Sequence, residues 1–76
     1  MEKALVLTIL DATFENEALE ELRKLDEVRE AHFLYGPYDT YVMIEADSSQ
    51  QLQDIVFNKI RRINGITSTI TCFIAD

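Results

Sequence analysis

The stretch that most constrains this chain is Tyr35-Gly36-Pro37-Tyr38-Asp39-Thr40, the only place where Gly and Pro stand side by side. Val28–Leu34 precedes it and Tyr41–Ala46 follows it, and both flanks are rich in β-branched, aromatic and aliphatic residues. Gly36 accepts backbone angles that other residues avoid, and Pro37 fixes φ near a turn value. The stretch is therefore expected to be the tip of a β-hairpin, and every other element has to be placed around that hairpin.

Before the hairpin, Lys3–Leu10 is an apolar run in which Leu5, Leu7 and Ile9 alternate with Val6, Thr8 and Leu10. Both sides of such a strand are apolar, which predicts a central position in the sheet. Asp11–Phe14 reads as a loop and Glu15–Leu25 as a helix, with Phe14, Ala18, Leu22 and Leu25 on one face. Thr13 is the expected N-cap, and Glu15 and Glu17 sit where the helix dipole favours negative charge.

After the hairpin, Ser48 and Gln51 have the spacing of a capping box. They open a helix expected from about Ser49 to Ile63, with an apolar stripe of Leu52, Ile55, Val56, Ile60 and Ile63. Asn64-Gly65 stops that helix. Ile66–Ile74 is the last strand, with Ile66, Ile70, Cys72 and Ile74 on one side and Thr67, Thr69, Thr71 and Phe73 on the other.

The order βαββαβ, with right-handed crossovers, gives an α+β ferredoxin-like sandwich: two helices on one face of a four-stranded antiparallel sheet. Residues 1–76 form one domain with no low-complexity linker. The second sheet face is left without a helix, and Val6, Leu10, Tyr41, Met43 and Phe73 are expected to occupy it in part. Exposed apolar faces mark interaction surfaces, so a second subunit is the expected cover. A domain of 76 residues is also marginal alone, burying only roughly 60% of its unfolded surface.

Charge and composition narrow the function. The net charge is −7, with only Arg61-Arg62 adjacent among the cations. No basic stripe exists to neutralise phosphates, so direct nucleic-acid binding and adhesion to an anionic membrane are not expected. One Cys and one His exclude an intramolecular disulfide and a zinc site, and no cofactor is implied. No run reaches the length of a membrane span, and the N-terminus lacks a signal-peptide pattern, so a cytoplasmic location is expected.

Chain direction brings Asp11–Thr13, Gly36–Thr40 and Asn64–Thr67 to one end of the sheet. That end offers free N–H groups, free carbonyls, the Asp39 carboxylate, the Tyr38 hydroxyl and the first threonines of the last strand. Donors suit a carboxylate and acceptors suit an ammonium, so the mixture matches a zwitterion such as a free amino acid. Turn chemistry alone also explains Gly36, Pro37 and Asp39. His32 reads as a plain strand histidine, Cys72 as a small core residue, and Arg61-Arg62 as cations favoured at a helix C-terminus.

Gly36-Pro37-Tyr38-Asp39, the capped helix and Asn64-Gly65-Ile66-Thr67-Ser68-Thr69-Ile70-Thr71 together resemble the effector-binding (RAM) domain of the Lrp/AsnC transcription regulators. The resemblance spans nearly the whole chain, without the helix-turn-helix domain of the family's regulators, and so matches the module's stand-alone form. It implies an amino-acid effector held by Gly36, Tyr38 and Asp39, with Thr69 and Thr71, at an interface between dimers. It also implies a homo-oligomer in which dimers assemble into a larger ring, regulation rather than catalysis, and mixed assembly with full-length relatives. Two rival expectations stand beside it. One is a small dimeric α/β-barrel enzyme, of monooxygenase or isomerase type, using His32 or Asp39 as a base. The other is an assembly module without a ligand.

Overall fold

The computed structural model describes residues 1–76. Strand β1 is Glu2–Leu10, helix α1 Glu15–Lys24, β2 Val28–Phe33, β3 Thr40–Ala46, helix α2 Ser49–Ile55 and β4 Ile66–Phe73. A 3-10 turn, Ala12–Phe14, leads into α1, and a π turn, Val56–Ile60, extends α2. The sheet order is β2-β3-β1-β4, antiparallel throughout, so β1 is central as its two apolar sides required. The α+β ferredoxin-like architecture is the expected one.

Burial along β1 and β3 alternates with a period of two. Ala4, Val6, Thr8 and Leu10 are buried beneath the helices, with Val42, Ile44 and Ala46 of β3 beside them. Leu22 of α1 and Leu52 and Ile60 of the α2 arm close the core from above, all fully buried. Burying a side chain of this size contributes about 1.5–3 kcal/mol, so these rows decide the register.

The open face differs from the expected one. Val6 and Leu10 belong to the helix-covered core, and the open face carries Leu5, Leu7 and Ile9 instead. Tyr41 and Met43 lie on the open face as expected. Phe73 pairs with Ala4, which puts it on the helix side, yet it stays 47% exposed because neither helix reaches out over β4. Cys72 pairs with Leu5 on the open face and is exposed, not a core residue. Ile66 pairs with Leu10 while Ser68 pairs with Ile9, so the extra residue Thr67 is a bulge. The bulge turns Ile66 inward to the core and separates it from Ile70 and Cys72, with which it was grouped.

Helix ends explain the remaining differences. Asp11, not Thr13, is the capping residue, and it caps the 3-10 turn, its Oδ1 accepting from Thr13 N at 2.9 Å; α1 itself starts after its N-cap Phe14 with no side-chain cap. Ser48 Oγ accepts from Gln51 N at 3.2 Å, and Gln51 Oε1 reaches back to Asp47 N at 2.9 Å, one residue earlier than in the usual box. The α2 arm ends at Ile60, three residues short of Ile63, when Arg61 N donates to Val56 O at 2.9 Å in the π pattern.

Candidate functional site

The three loops do converge at one end of the sheet. Asp11 N donates to Gly65 O at 2.7 Å, tying the start of α1 to the start of β4. Gly65 has φ +101, and a Cβ there would lie 2.7 Å from Phe14 Cβ. Only glycine makes this junction. Gly36, at the exposed hairpin tip, has φ +147 but open space around it.

Asp39 is built into the ladder. Its N–H donates to Thr8 O at 2.8 Å, its carbonyl accepts from Leu34 N at 2.8 Å, and its Oδ2 accepts from Leu10 N at 2.7 Å. Beyond Thr40 the β3 chain turns away from β1, and the carboxylate replaces the backbone carbonyl that Leu10 would otherwise meet. A charge-assisted bond of this kind is stronger than a neutral one. Beneath it, the hydroxyls of Thr8 and Thr40 hydrogen-bond each other, both residues fully buried. Tyr38 is half-buried, and its hydroxyl bonds to nothing within the chain.

Thr69 and Thr71 lie elsewhere. They pair with Thr8 and Val6 across the other side of β1. Asp39 flanks the β3 side of the same strand. Neighbouring strands are about 4.8 Å apart, so roughly 10 Å of sheet separates the two groups. Thr69 and Thr71 are half-buried on a flank that neither helix covers. Thr67 Oγ1 donates to Ile9 O at 3.1 Å, filling the bond that the bulge vacates. A cavity of about 300 Å³ opens here, lined by Arg61, Ile66, Thr67, Ser68 and Thr69. Arg61 was read only as a helix-end cation; its four-residue spacing from Phe57 was the available signal.

His32 stacks on Tyr41 with ring centroids 5.7 Å apart, on the open sheet face. Glu30 Oε1 accepts from the Tyr41 hydroxyl at 2.6 Å and lies 3.3 Å from His32 Nε2. That bond raises the Tyr41 phenol above its usual range. At the opposite end of the sheet, Lys59 Nζ donates to Glu27 Oε2 at 2.5 Å. The bond, together with one to Glu27's own backbone, holds the Glu27 carboxyl below the ordinary range despite its burial, and raises Lys59. No cluster of three or more His, Cys, Asp or Glu is placed to hold a metal, and no helix is long and apolar enough to cross a membrane.

The family described as Lrp/AsnC ligand binding domain matches residues 11–76. The regulatory protein AsnC of Escherichia coli K12 is 39% identical over 57 residues, 75% of this chain. An uncharacterized HTH-type transcriptional regulator of Pyrococcus furiosus is 30% identical over 57 residues. The chain spans 38% of the length of each of these relatives. Among solved structures, FFRP-DM1 superposes with a TM-score of 0.93 at 35% identity, covering 99% of this chain and 100% of that one. E. coli AsnC superposes at 0.91 with 33% identity, covering 99% of this chain and 51% of that one.

Proposed function

Because the chain belongs to the Lrp/AsnC family, with residues 11–76 matching its ligand-binding domain, we propose that it is a regulatory module that senses a free amino acid. In this reading the free lone pairs of Asp39 receive the ammonium, and Thr69 and Thr71 receive the carboxylate. Gly36 and Tyr38 frame the entrance. The observation that carries the reading is the separation of these groups by β1. An α-amino acid has its ammonium and carboxylate on one carbon and cannot reach both sides of the strand. The site is therefore completed between copies, Asp39 from one and the threonines from another.

The same reading has the open face of Leu5, Leu7, Met43 and Ile70 covered by a second copy, giving a dimer that assembles into a ring. It places the protein in the cytoplasm, as part of the regulation of amino-acid metabolism, with any DNA contact made by relatives that carry an HTH part. Catalysis is not part of it: Asp39 is bonded into the ladder, and His32 and Tyr41 share Glu30 on the face assigned to assembly.

The test is a thermal-shift screen against the common amino acids, run beside sedimentation. A selective rise in melting temperature, with a particle larger than a monomer at micromolar concentration, is the expected result. No rise across the whole set leaves an assembly module without an effector. A folded monomer removes the shared site.

A further inference from the structure

The seven Lys and Arg residues are used unevenly. Lys24, Arg29 and Lys59 face Glu21, Glu45 and Glu27 within ion-pair distance, and Arg23 donates to the Ala31 carbonyl at 2.9 Å. Lys3 and Arg62 have no such partner, and neither does the Arg61 guanidinium, in a chain with 14 acidic residues. It lies over the Phe57 ring instead, 4.8 Å from its centre, a contact that restrains the fork without neutralising it. The π turn Val56–Ile60 carries Phe57 and ends at Arg61. Such turns are rare and recur at functional sites.

The rest of the cavity is polar, with the Thr67 hydroxyl proton already given to Ile9 O. Thr67, Ser68 and Thr69 line it with hydroxyls, and Ile66 is its single apolar wall. Ile74 N donates to Lys3 O at 3.0 Å, so Cys72, Ile70 and Ser68 also turn their amides toward β1. By the alternation of the ladder, Thr69 and Thr71 turn both their amides and their carbonyls outward to the free edge. A cationic fork, hydroxyls and an unpaired backbone amide around a small opening are complementary to a planar anion.

We propose that Arg61 and the Thr67–Thr69 segment form a carboxylate-binding subsite, in which the guanidinium takes the two oxygens of a small molecule's carboxylate. The subsite deepens the amino-acid reading, naming Arg61 as the group that recognises the acid end. It can be tested without any amino acid.

The experiment is an NMR titration of the ¹⁵N-labelled chain with sodium acetate, sodium phosphate and methylammonium chloride at constant ionic strength. Wild type is compared with Arg61→Gln and Arg61→Lys. Acetate is expected to give saturable shifts at the Thr67, Ser68 and Thr69 amides and at Arg61 Nε. Methylammonium gives none. Arg61→Gln weakens acetate binding by roughly ten-fold or more, and Arg61→Lys, which keeps the charge but loses the fork, falls between. Thermal melts check that both variants remain folded, and if Arg61→Gln does not fold, Arg61→Lys alone decides. Linear, unsaturated shifts in the wild type, or equal affinity in the variants, overturn the subsite. Phosphate binding more tightly than acetate overturns the carboxylate assignment. Saturable acetate binding with no amino acid raising the melting temperature keeps the subsite and removes the amino-acid reading.

Discussion

The hairpin end and the β4 flank hold the two halves of the candidate site, and they use their polar groups in opposite ways. At the hairpin end, Asp39 makes three hydrogen bonds, two to β1 and one to Leu34 just after β2, and the neighbouring Thr8 and Thr40 hydroxyls are buried against each other. At the β4 flank, Thr69 and Thr71 have no side-chain bonds, their amides face the open edge, and Arg61 is unpaired. The polar groups of the first region are paired within the chain before any ligand arrives. The second has exposed and half-buried donors that are free to meet water, a ligand or another chain. In the proposed function, the paired half and the open half are joined on assembly.

The largest expected effect lies at the junction of the two regions. Gly65→Ala combines a φ of +101 with a Cβ placed 2.7 Å from Phe14 Cβ. The expected loss is about 3 kcal/mol in chemical denaturation, since positive φ alone costs about 1–3 kcal/mol before the clash. Gly36→Ala meets open space and should cost about 1 kcal/mol from backbone strain alone. Equal losses at both glycines would mean that the junction is not tight and that the two regions move independently.

Next in size is Asp39→Ala, which strips Leu10 N–H of its acceptor. A half-buried donor without a partner costs about 1–3 kcal/mol, and the Leu10 amide should lose its protection from hydrogen exchange. Asp39→Asn keeps an acceptor oxygen and should cost less while removing the charge offered to an ammonium. If Asp39→Ala leaves stability and Leu10 protection unchanged, the hairpin end is not preorganised by its carboxylate. Thr69→Val and Thr71→Val lie on the unsatisfied side and should change stability by no more than about 0.5 kcal/mol. A loss of over about 1 kcal/mol at either position would make the β4 flank structural as well and erase the contrast.

The smallest effect is on pH and belongs to neither region. Glu27 has its folded pKa lowered from 4.5 by the hydrogen bond from Lys59. Its contribution is therefore complete above that value and is lost as pH falls through the lower, folded one. Lys59 is raised above 10.5, so its contribution is complete below that value and lost as pH rises through the folded one. Thermal melts of wild type and Lys59→Met between pH 3 and pH 6, a window set by the Glu27 shift, should converge toward the acid end. Parallel curves would show that the pair contributes nothing.

The fold was legible because its signals are local. Two-sided apolarity placed β1 at the centre, and Ser48 with Gln51 announced α2. The facing of β1 was not legible, since Leu5-Leu7-Ile9 and Val6-Thr8-Leu10 are almost equally apolar sets. Thr8 joins the buried set only because Thr40 stands opposite to share its hydroxyl, a fact of register. Ile66 was misgrouped because nothing in Ile66-Thr67-Ser68 signals a bulge. The turn singles out Asp39 in the sequence, but its bond to Leu10 spans 29 residues and has no sequence signature. The stretch Val56–Ile60 reads as ordinary α-helix, so neither the π turn nor the cavity beside Arg61 was visible.

The central claim is that one amino-acid site takes Asp39 from one copy and threonines from another. It is tested most directly by mixing two defective proteins. Asp39→Asn and the double variant Thr69→Val/Thr71→Val are each purified, checked for fold by thermal melt, and titrated calorimetrically with the amino acid found in the screen. Each alone should bind weakly or not at all. Dissociated and reassembled together in equal amounts, they should regain about a quarter of the wild-type sites at wild-type affinity, since random assembly pairs intact halves at that frequency. A mixture that binds no better than its parts would place the whole site within a single chain and contradict the account.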